Sequence, residues 1–142
     1  MKFRQPIQAK PFLKWAGGKT QLLPAIEARF PFPTKQEFTY VEPFVGSGAV
    51  LFWVLNRFPN LKKVVINDIN SDLINAYRII ATQVNELIAI LGNWQNKYHS
   101  LDDDKEAKRR FYYAQRELFN QRNSDAVMQT ALLIFLNRTC YN

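Results

Sequence analysis

Apolar and polar positions change their period several times along the chain, and each change marks an element. In TQLLPAIEARF (20–30), Leu22, Leu23, Ile26 and Phe30 recur at helical spacing. Thr20 is placed to cap that helix, and Pro24 falls near its first turn, where proline is tolerated. PFPTKQE (31–37) is a loop, and FTYVEP (38–43) predicts a short strand ending in an acid and a proline. FVGSG (44–48) is a glycine turn, and AVLFWVLNRF (49–58) is an apolar helix stopped by Pro59. KKVVIND (62–68) is a second β-branched run, again ending in an acid, Asp68. Asn70 or Ser71 can cap a helix over 71–91, with Leu73, Ile74, Tyr77, Ile80, Val84, Leu87, Ile88 and Leu91 as its buried stripe. Strand, turn, helix, strand is a βαβ unit, which predicts parallel neighbouring strands with a right-handed crossover.

After Gly92 the character changes. Residues 93–125 are polar, aromatic and charged, with a helix expected over 103–121 and no strand signal. ALLIFLN (131–137) is an apolar run that stops abruptly at RTCYN. The second half therefore reads as helical. With 142 residues, 47% of them hydrophobic, the chain is long enough for a real core and has no internal repeats.

Composition narrows the chemistry. No apolar run approaches the ~18 residues of a membrane span, and the N-terminus lacks the apolar stretch of a secretory signal. A single cysteine, Cys140, and a single histidine, His99, argue against a disulfide framework and against a Cys/His metal site. The expected setting is cytoplasmic. Net charge is +7, and residues 1–35 hold seven Lys or Arg against one acid, Glu27. A basic arm of this kind suits a polyanionic partner, and equally a solvated surface.

Gly18, Lys19 and Thr20 imitate the tail of a phosphate-binding P-loop. Such a loop needs a glycine five positions before its Gly-Lys pair and a buried strand ahead of it. Here that position is Leu13 and the preceding residues carry prolines and cations, so the P-loop reading fails. The better candidate is VEPFVGSG (41–48). In an open α/β sheet, ligands bind beyond the carboxyl ends of the strands. Gly46 and Gly48 let the backbone approach a ligand, and Asp68 is placed to accept hydrogen bonds from ribose hydroxyls. GSGAVL (46–51) lacks the third glycine of a dinucleotide fingerprint, which disfavours a nicotinamide-dependent oxidoreductase and leaves a mononucleoside such as S-adenosyl-L-methionine. Cys140 has no activating neighbour that would make it the nucleophile of a cytosine methyltransferase. The acidic run DDD (102–104) suits a helix dipole better than a metal.

Four stretches, FLKWAGGK (12–19), YVEPFVGSG (40–48), INDINSDLIN (66–75) and FLNRTCYN (135–142), occur in this order. Together they resemble the Dam-like (D12 class) DNA adenine-N6 methyltransferases. The resemblance implies a Rossmann-like, S-adenosyl-L-methionine-dependent methyltransferase fold, incomplete here, followed by a helical target-recognition segment. Residues 1–70 would be the cofactor-binding part and 71–142 the start of the DNA-binding part. It implies a cofactor site formed by Trp15, Gly17, Lys19, Glu42, Phe44, Gly46, Gly48 and Asp68. Trp15 supplies a flat apolar surface, and Lys19 a compact cation for the cofactor carboxylate. The partner implied is double-stranded DNA, in DNA methylation or restriction-modification.

KEAKRRFYYAQRELFNQR (105–122) lies where the family inserts its target-recognition domain, which makes Arg109 and Arg110 candidate phosphate contacts. Asn137, Arg138 and Asn142 are further candidates. The family's catalytic tetrapeptide, Asp-Pro-Pro-Tyr, occurs nowhere in these residues, so no catalytic residue is assigned. In the resembled enzymes it holds an adenine flipped out of the duplex. The expectation is half an active site, inactive alone. The alternative is a noncatalytic DNA-binding fragment or truncated pseudo-enzyme.

Overall fold

The computed structural model describes residues 8–140. The chain is α/β and divides into two compact units, Met1–Ile69 and Asn70–Asn142.

The first unit opens with a 3₁₀ turn, Lys19–Leu22, running into a short helix α1, Leu23–Glu27. The expected single helix over 20–30 is therefore interrupted, and Thr20 is not its cap; Gly18 precedes the 3₁₀ turn with no side-chain cap bond. Pro24 explains the break. It stands in the first turn of α1 and has no N–H with which to carry an α-helical ladder back through Thr20. Strand β1, Phe38–Glu42, helix α2, Ala49–Arg57, and strand β2, Leu61–Ile66, then follow as the pattern predicts.

The two strands are parallel neighbours, with Val41 opposite Val65 and Glu42 opposite Ile66. Alternation along β1 buries Phe38 and Glu42 and half-buries Tyr40, while Thr39 and Val41 face outward. On the inner face, Phe38, Val50, Val54 and Phe58 form a core against Leu23, Ile26, Phe30, Tyr40, Trp53 and Leu61. Its aromatic rings interlock. Phe30 lies 5.0 Å from Phe58 and 5.3 Å from Trp53, and Phe32 stacks on Phe38 at 4.7 Å.

The second unit is four helices: α3, Ser71–Thr82; α4, Val84–His99; α5, Lys105–Gln121; and α6, Ala126–Thr139. Three begin on side-chain caps. Asn70 accepts from the Leu73 N–H at 3.0 Å, Asp104 from Ala107 at 2.9 Å and Asp125 from Met128 at 2.8 Å. Each cap satisfies a helix-end donor that has no partner within the helix.

The expected single helix over 71–91 is two helices. It breaks at Gln83 (φ −138°, ψ 34°), between the β-branched Thr82 and Val84. The Thr82 hydroxyl turns back onto the Arg78 carbonyl at 2.8 Å, the local bond by which threonine bends helices. The stripe breaks with it: Val84 and Ile88 are exposed, while Leu87 is buried. Nor does Gly92 end a helix, since α4 runs through it to His99. Leu91 and Trp94 on either side pack against the buried Ile79, Leu87, Val127 and Ala131, and this burial outweighs the helix cost of one glycine.

The run 131–137 proves to be the middle of α6, which packs against α3, α4 and α5. Val127, Ala131, Leu132 and Phe135 are buried, and three surrounding partners are why α6 is apolar on most sides. Arg122, at the end of α5, adopts a left-handed φ of 58° and sets its guanidinium 2.7 Å from both carboxylate oxygens of Asp72.

A Cβ at Gly92 would meet nothing within 4 Å. Gly92→Ala is therefore expected to raise stability by about 0.4–1 kcal/mol through helix propensity and a less flexible unfolded chain. Urea denaturation of the two proteins measures this; a lowered midpoint for the variant would contradict the packing described.

Candidate functional site

The site is built where β1 and β2 end. Beyond Glu42 the chain turns through Pro43 and Phe44 into the glycine turn, whose carbonyls and amides are tied to the second strand's exit. The Asn67 N–H donates to the Glu42 carbonyl and the Val45 N–H to the Asn67 carbonyl, each at 2.9 Å. The Gly46 N–H then donates to Asp68 Oδ2 at 2.9 Å. Gly46 (φ 52°) and Gly48 (φ 81°) occupy the left-handed region, where a side chain would be strained. Gly48 also opens α2, accepting from the Phe52 N–H at 2.8 Å.

The segment holding Trp15 and Lys19 lies over this turn. A Cβ on Gly46 would come 3.7 Å from Trp15 Cδ1, and one on Gly18 would come 3.4 Å from the Trp15 carbonyl and 3.8 Å from Ser47 Oγ. Two backbone stretches distant in sequence thus meet through glycines. Between them is a cavity of ≈ 210 Å³. Six of the predicted cofactor residues line it: Trp15, Gly17, Lys19, Phe44, Gly46 and Asp68. Glu42 and Gly48 do not line it; Gly48 starts the helix behind.

Glu42 is buried, at 7% exposure, and fully engaged. Its Oε1 accepts from Lys19 Nζ at 3.0 Å and its Oε2 from the Tyr40 hydroxyl at 2.8 Å. Lys19 Nζ also donates to the Phe44 carbonyl. Lys19 is thus held by the protein at the cavity edge, as a fixed cation rather than a roaming one. Burial, followed by the hydrogen bond and the negative charge of Glu42, pushes the Tyr40 phenol far above its ordinary value of 10.0. Sequence reasoning passed over Tyr40, although its place two residues before Glu42 on a strand puts both on one face.

Ile69 was not foreseen, whereas Phe44 was expected at the cofactor site. Phe44 is 73% exposed and Ile69, next to Asp68, is 98% exposed; large apolar groups left bare beside a polar cleft are candidate contacts for a flat ligand.

In the second unit, Arg109 and Arg110 leave α5 about 100° apart, as consecutive helical residues must. Arg109 lies over the Tyr113 ring, 5.6 Å from its centroid, while Arg110 faces Glu106 at 3.8 Å. Asn137 and Arg138 sit in the last turn of α6, with Arg138 exposed. Asn142 lies outside the described residues. Cys140 is half-buried, its thiol directed at the Asn137 carbonyl at 3.4 Å, and carries no base within that contact. Two of the three acids of DDD are engaged locally: Asp104 caps α5, and Asp102 pairs with Lys108 and faces His99 Nδ1 at 3.4 Å. Lys108, then His99, hold the Asp102 carboxyl below its usual range.

Comparison with known families matches residues 15–142 to the model for the D12 class N6 adenine-specific DNA methyltransferase. The chain belongs to that family. Among relatives of this D12-class chain, the type II methyltransferase M.MjaIII of Methanocaldococcus jannaschii is 46% identical over 140 residues, covering 96% of this chain and 47% of that protein. The DNA adenine methylase of Haemophilus influenzae is 35% identical, covering 96% of this chain and 42% of its own length. The DNA N-6-adenine-methyltransferase of Escherichia phage P1 is 33% identical over 91% of this chain and 15% of that protein. The chain thus spans less than half the length of these relatives. Among the described residues no helix is long and apolar enough to cross a membrane.

The raised Tyr40 pKa fixes the sign of a pH effect. Because the folded state favours the protonated phenol, its contribution is complete below the unfolded value near 10 and is lost as pH rises above it. Tyr40→Phe is expected to cost about 1.5–3 kcal/mol near neutrality, the worth of a hydrogen bond to a charged group. Denaturant titrations across the alkaline range should show the wild type losing stability above pH ~10 more steeply than Tyr40→Phe. Parallel pH profiles would mean that the Tyr40–Glu42 bond is not coupled to folding.

Proposed function

We propose that this chain is the cofactor-binding part of a DNA adenine-N6 methyltransferase, with a Rossmann-like first unit and a DNA-facing helical second unit. The observation that carries the proposal is the cleft at the ends of two parallel strands. Its walls are an indole, a fixed ammonium, two glycines at positive φ and a strand-terminal aspartate. That donor set fits S-adenosyl-L-methionine, whose sulfonium supplies the methyl group. Asp68 would take the ribose hydroxyls, its carboxylate already aimed by the Gly46 amide. Lys19, steadied by Glu42, would meet the carboxylate end. Trp15, Phe44 and Ile69 offer apolar surface for the flat base and the methionine chain. Glu42 serves as the anchor of Lys19, a different role from direct contact with the cofactor.

The family and the relatives named as adenine methylases support DNA adenine as the substrate class. The cations of α5 and the end of α6, including Arg109, Arg110 and Arg138, with the neutral amide of Asn137 beside Arg138, support double-stranded DNA as the partner. No Asp-Pro-Pro-Tyr occurs in these residues, so the groups that would hold the flipped adenine are not supplied here. A noncatalytic DNA-binding fragment remains the second reading, and this observation is the one that favours it.

Two measurements test the proposal. Calorimetric titration with S-adenosyl-L-methionine should show binding to the chain, weakened in Asp68→Ala by about 1–3 kcal/mol for the ribose hydroxyls left unpaired. Equal affinities would remove Asp68 from the site. A radioactive-methyl assay on duplex DNA should give no transfer by the 142 residues alone. Robust adenine methylation by them would show that they carry catalytic groups not recognised above.

A further inference from the structure

A basic and aromatic concavity lies along α5 of the second unit. Lys105, Lys108, Arg109, Tyr112 and Tyr113 are spaced i, i+3, i+4, i+7 and i+8, so one face of the helix carries all five. With Tyr98 of α4 and Asp102 of the intervening turn they enclose a cavity of ≈ 480 Å³. Within the second unit this face is opposite in character to the one α5 buries, where Phe111 packs edge-on to Phe135 at 5.6 Å.

The charges in the cavity do not cancel. Asp102 is the single acid lining it, and its carboxylate is engaged by Lys108. Lys105 and Arg109 bring two further positive charges with no second acid in the lining. Lys108 Nζ sits 4.3 Å from the Tyr98 centroid and Arg109 5.6 Å from that of Tyr113, so these two of the three cations are held on ring faces before any ligand arrives. Such pre-ordering lowers the entropy a ligand must overcome. A bare inorganic anion would use the cations and leave the tyrosine walls without contact. A phosphate ester bearing a sugar uses both, its oxygens on Lys105 and Arg109 and its sugar against the tyrosine side chains that line the cavity.

We infer that this cleft is a seat for one phosphate and its sugar from the backbone of a DNA strand. It rests on the DNA-methyltransferase reading only for the choice of DNA as the source of the phosphate ester. It assigns the contact to the Lys105–Lys108–Arg109 face with its tyrosines, whereas Arg110 belongs to a different face and a different pair. Phosphate contacts of this type fix position and carry no sequence information. Selectivity for a target sequence must then reside elsewhere.

The test uses the whole chain and two probes, a fluorescein-labelled DNA duplex followed by anisotropy across a salt series, and adenosine 5′-monophosphate followed by calorimetry. The variants are Lys105→Ala/Arg109→Ala, the charge-preserving Lys105→Arg/Arg109→Lys, and Lys62→Ala/Lys63→Ala, which removes the same charge from β2. Circular dichroism confirms helix content in each. The alanine pair on α5 should weaken duplex binding about tenfold or more at low salt and flatten the slope of log affinity against log salt by roughly 1.8, two released counterions. The charge-preserving pair should retain most of the slope, and the β2 pair should leave it unchanged. Equal flattening by the α5 and β2 pairs would reduce the effect to general charge and overturn the cleft. Unchanged binding of both probes by the α5 alanine pair would overturn it as well. Loss of the mononucleotide alone, with the duplex slope intact, would overturn DNA as the source while upholding the phosphate seat. Absence of salt-dependent duplex binding by the wild type would instead count against the DNA-methyltransferase reading itself.

Discussion

The buried carboxylate of Glu42 is the constraint on which the first unit depends. A charge removed from water must be compensated at once by opposite charge and by hydrogen bonds, or the group will not stay ionised there. Here one oxygen is met by Lys19 and the other by Tyr40, and Lys19 reaches on to the Phe44 carbonyl. Those contacts tie three stretches together: the start of the 3₁₀ turn, the last residues of β1, and the entry to the glycine turn. Without the lysine the carboxylate would be short of partners, and without the carboxylate the segment carrying Trp15 would lose its charged attachment to the strand. The cation that looked like part of a P-loop is thus first a structural ion, and its position at the cavity edge follows from that.

Much of the first unit was legible because its signals are local. Two β-branched runs, each closed by an acid, with a glycine turn and an apolar decamer between them, leave little choice but a parallel βαβ unit. Two of the four stretches behind the family resemblance, 40–48 and 66–75, overlap these signals. Less legible were features decided by competition between distant parts. Gly92 looked like a helix end because glycine is a poor helix former, yet packing around Ile79, Leu87, Val127 and Ala131 carries α4 through it. Gln83 gave no warning of a break, since neither it nor its neighbours forbids helix; Thr82 makes the difference by bonding backward.

The candidate sites divide in the same way. Asp68 and the glycines were visible as strand-end chemistry and Phe44 came with the family resemblance; the geometry around them adds Tyr40 and the bare side chain of Ile69. The cations of α5 were visible as composition, but composition does not say which way they point. Only helical phase and the rings of Tyr98 and Tyr113 separate Arg109 from its neighbour. A single-residue step along a helix moves a guanidinium from one surface to another, and this is why a charge count could not locate a binding face.

The hydrogen bond from the Gly46 amide to Asp68 joins the exits of two different strands. Its two partners are brought together only when β1 and β2 pair in the register that sets Glu42 beside Ile66. Side chains alternate along a strand, so a slip of one residue would turn Asp68 away from the glycine turn altogether. Any molecule seated between them therefore reads strand register. Its binding would draw the conformational ensemble toward the paired sheet by mass action, and its affinity would report the integrity of the sheet as directly as a spectroscopic probe of the strands themselves.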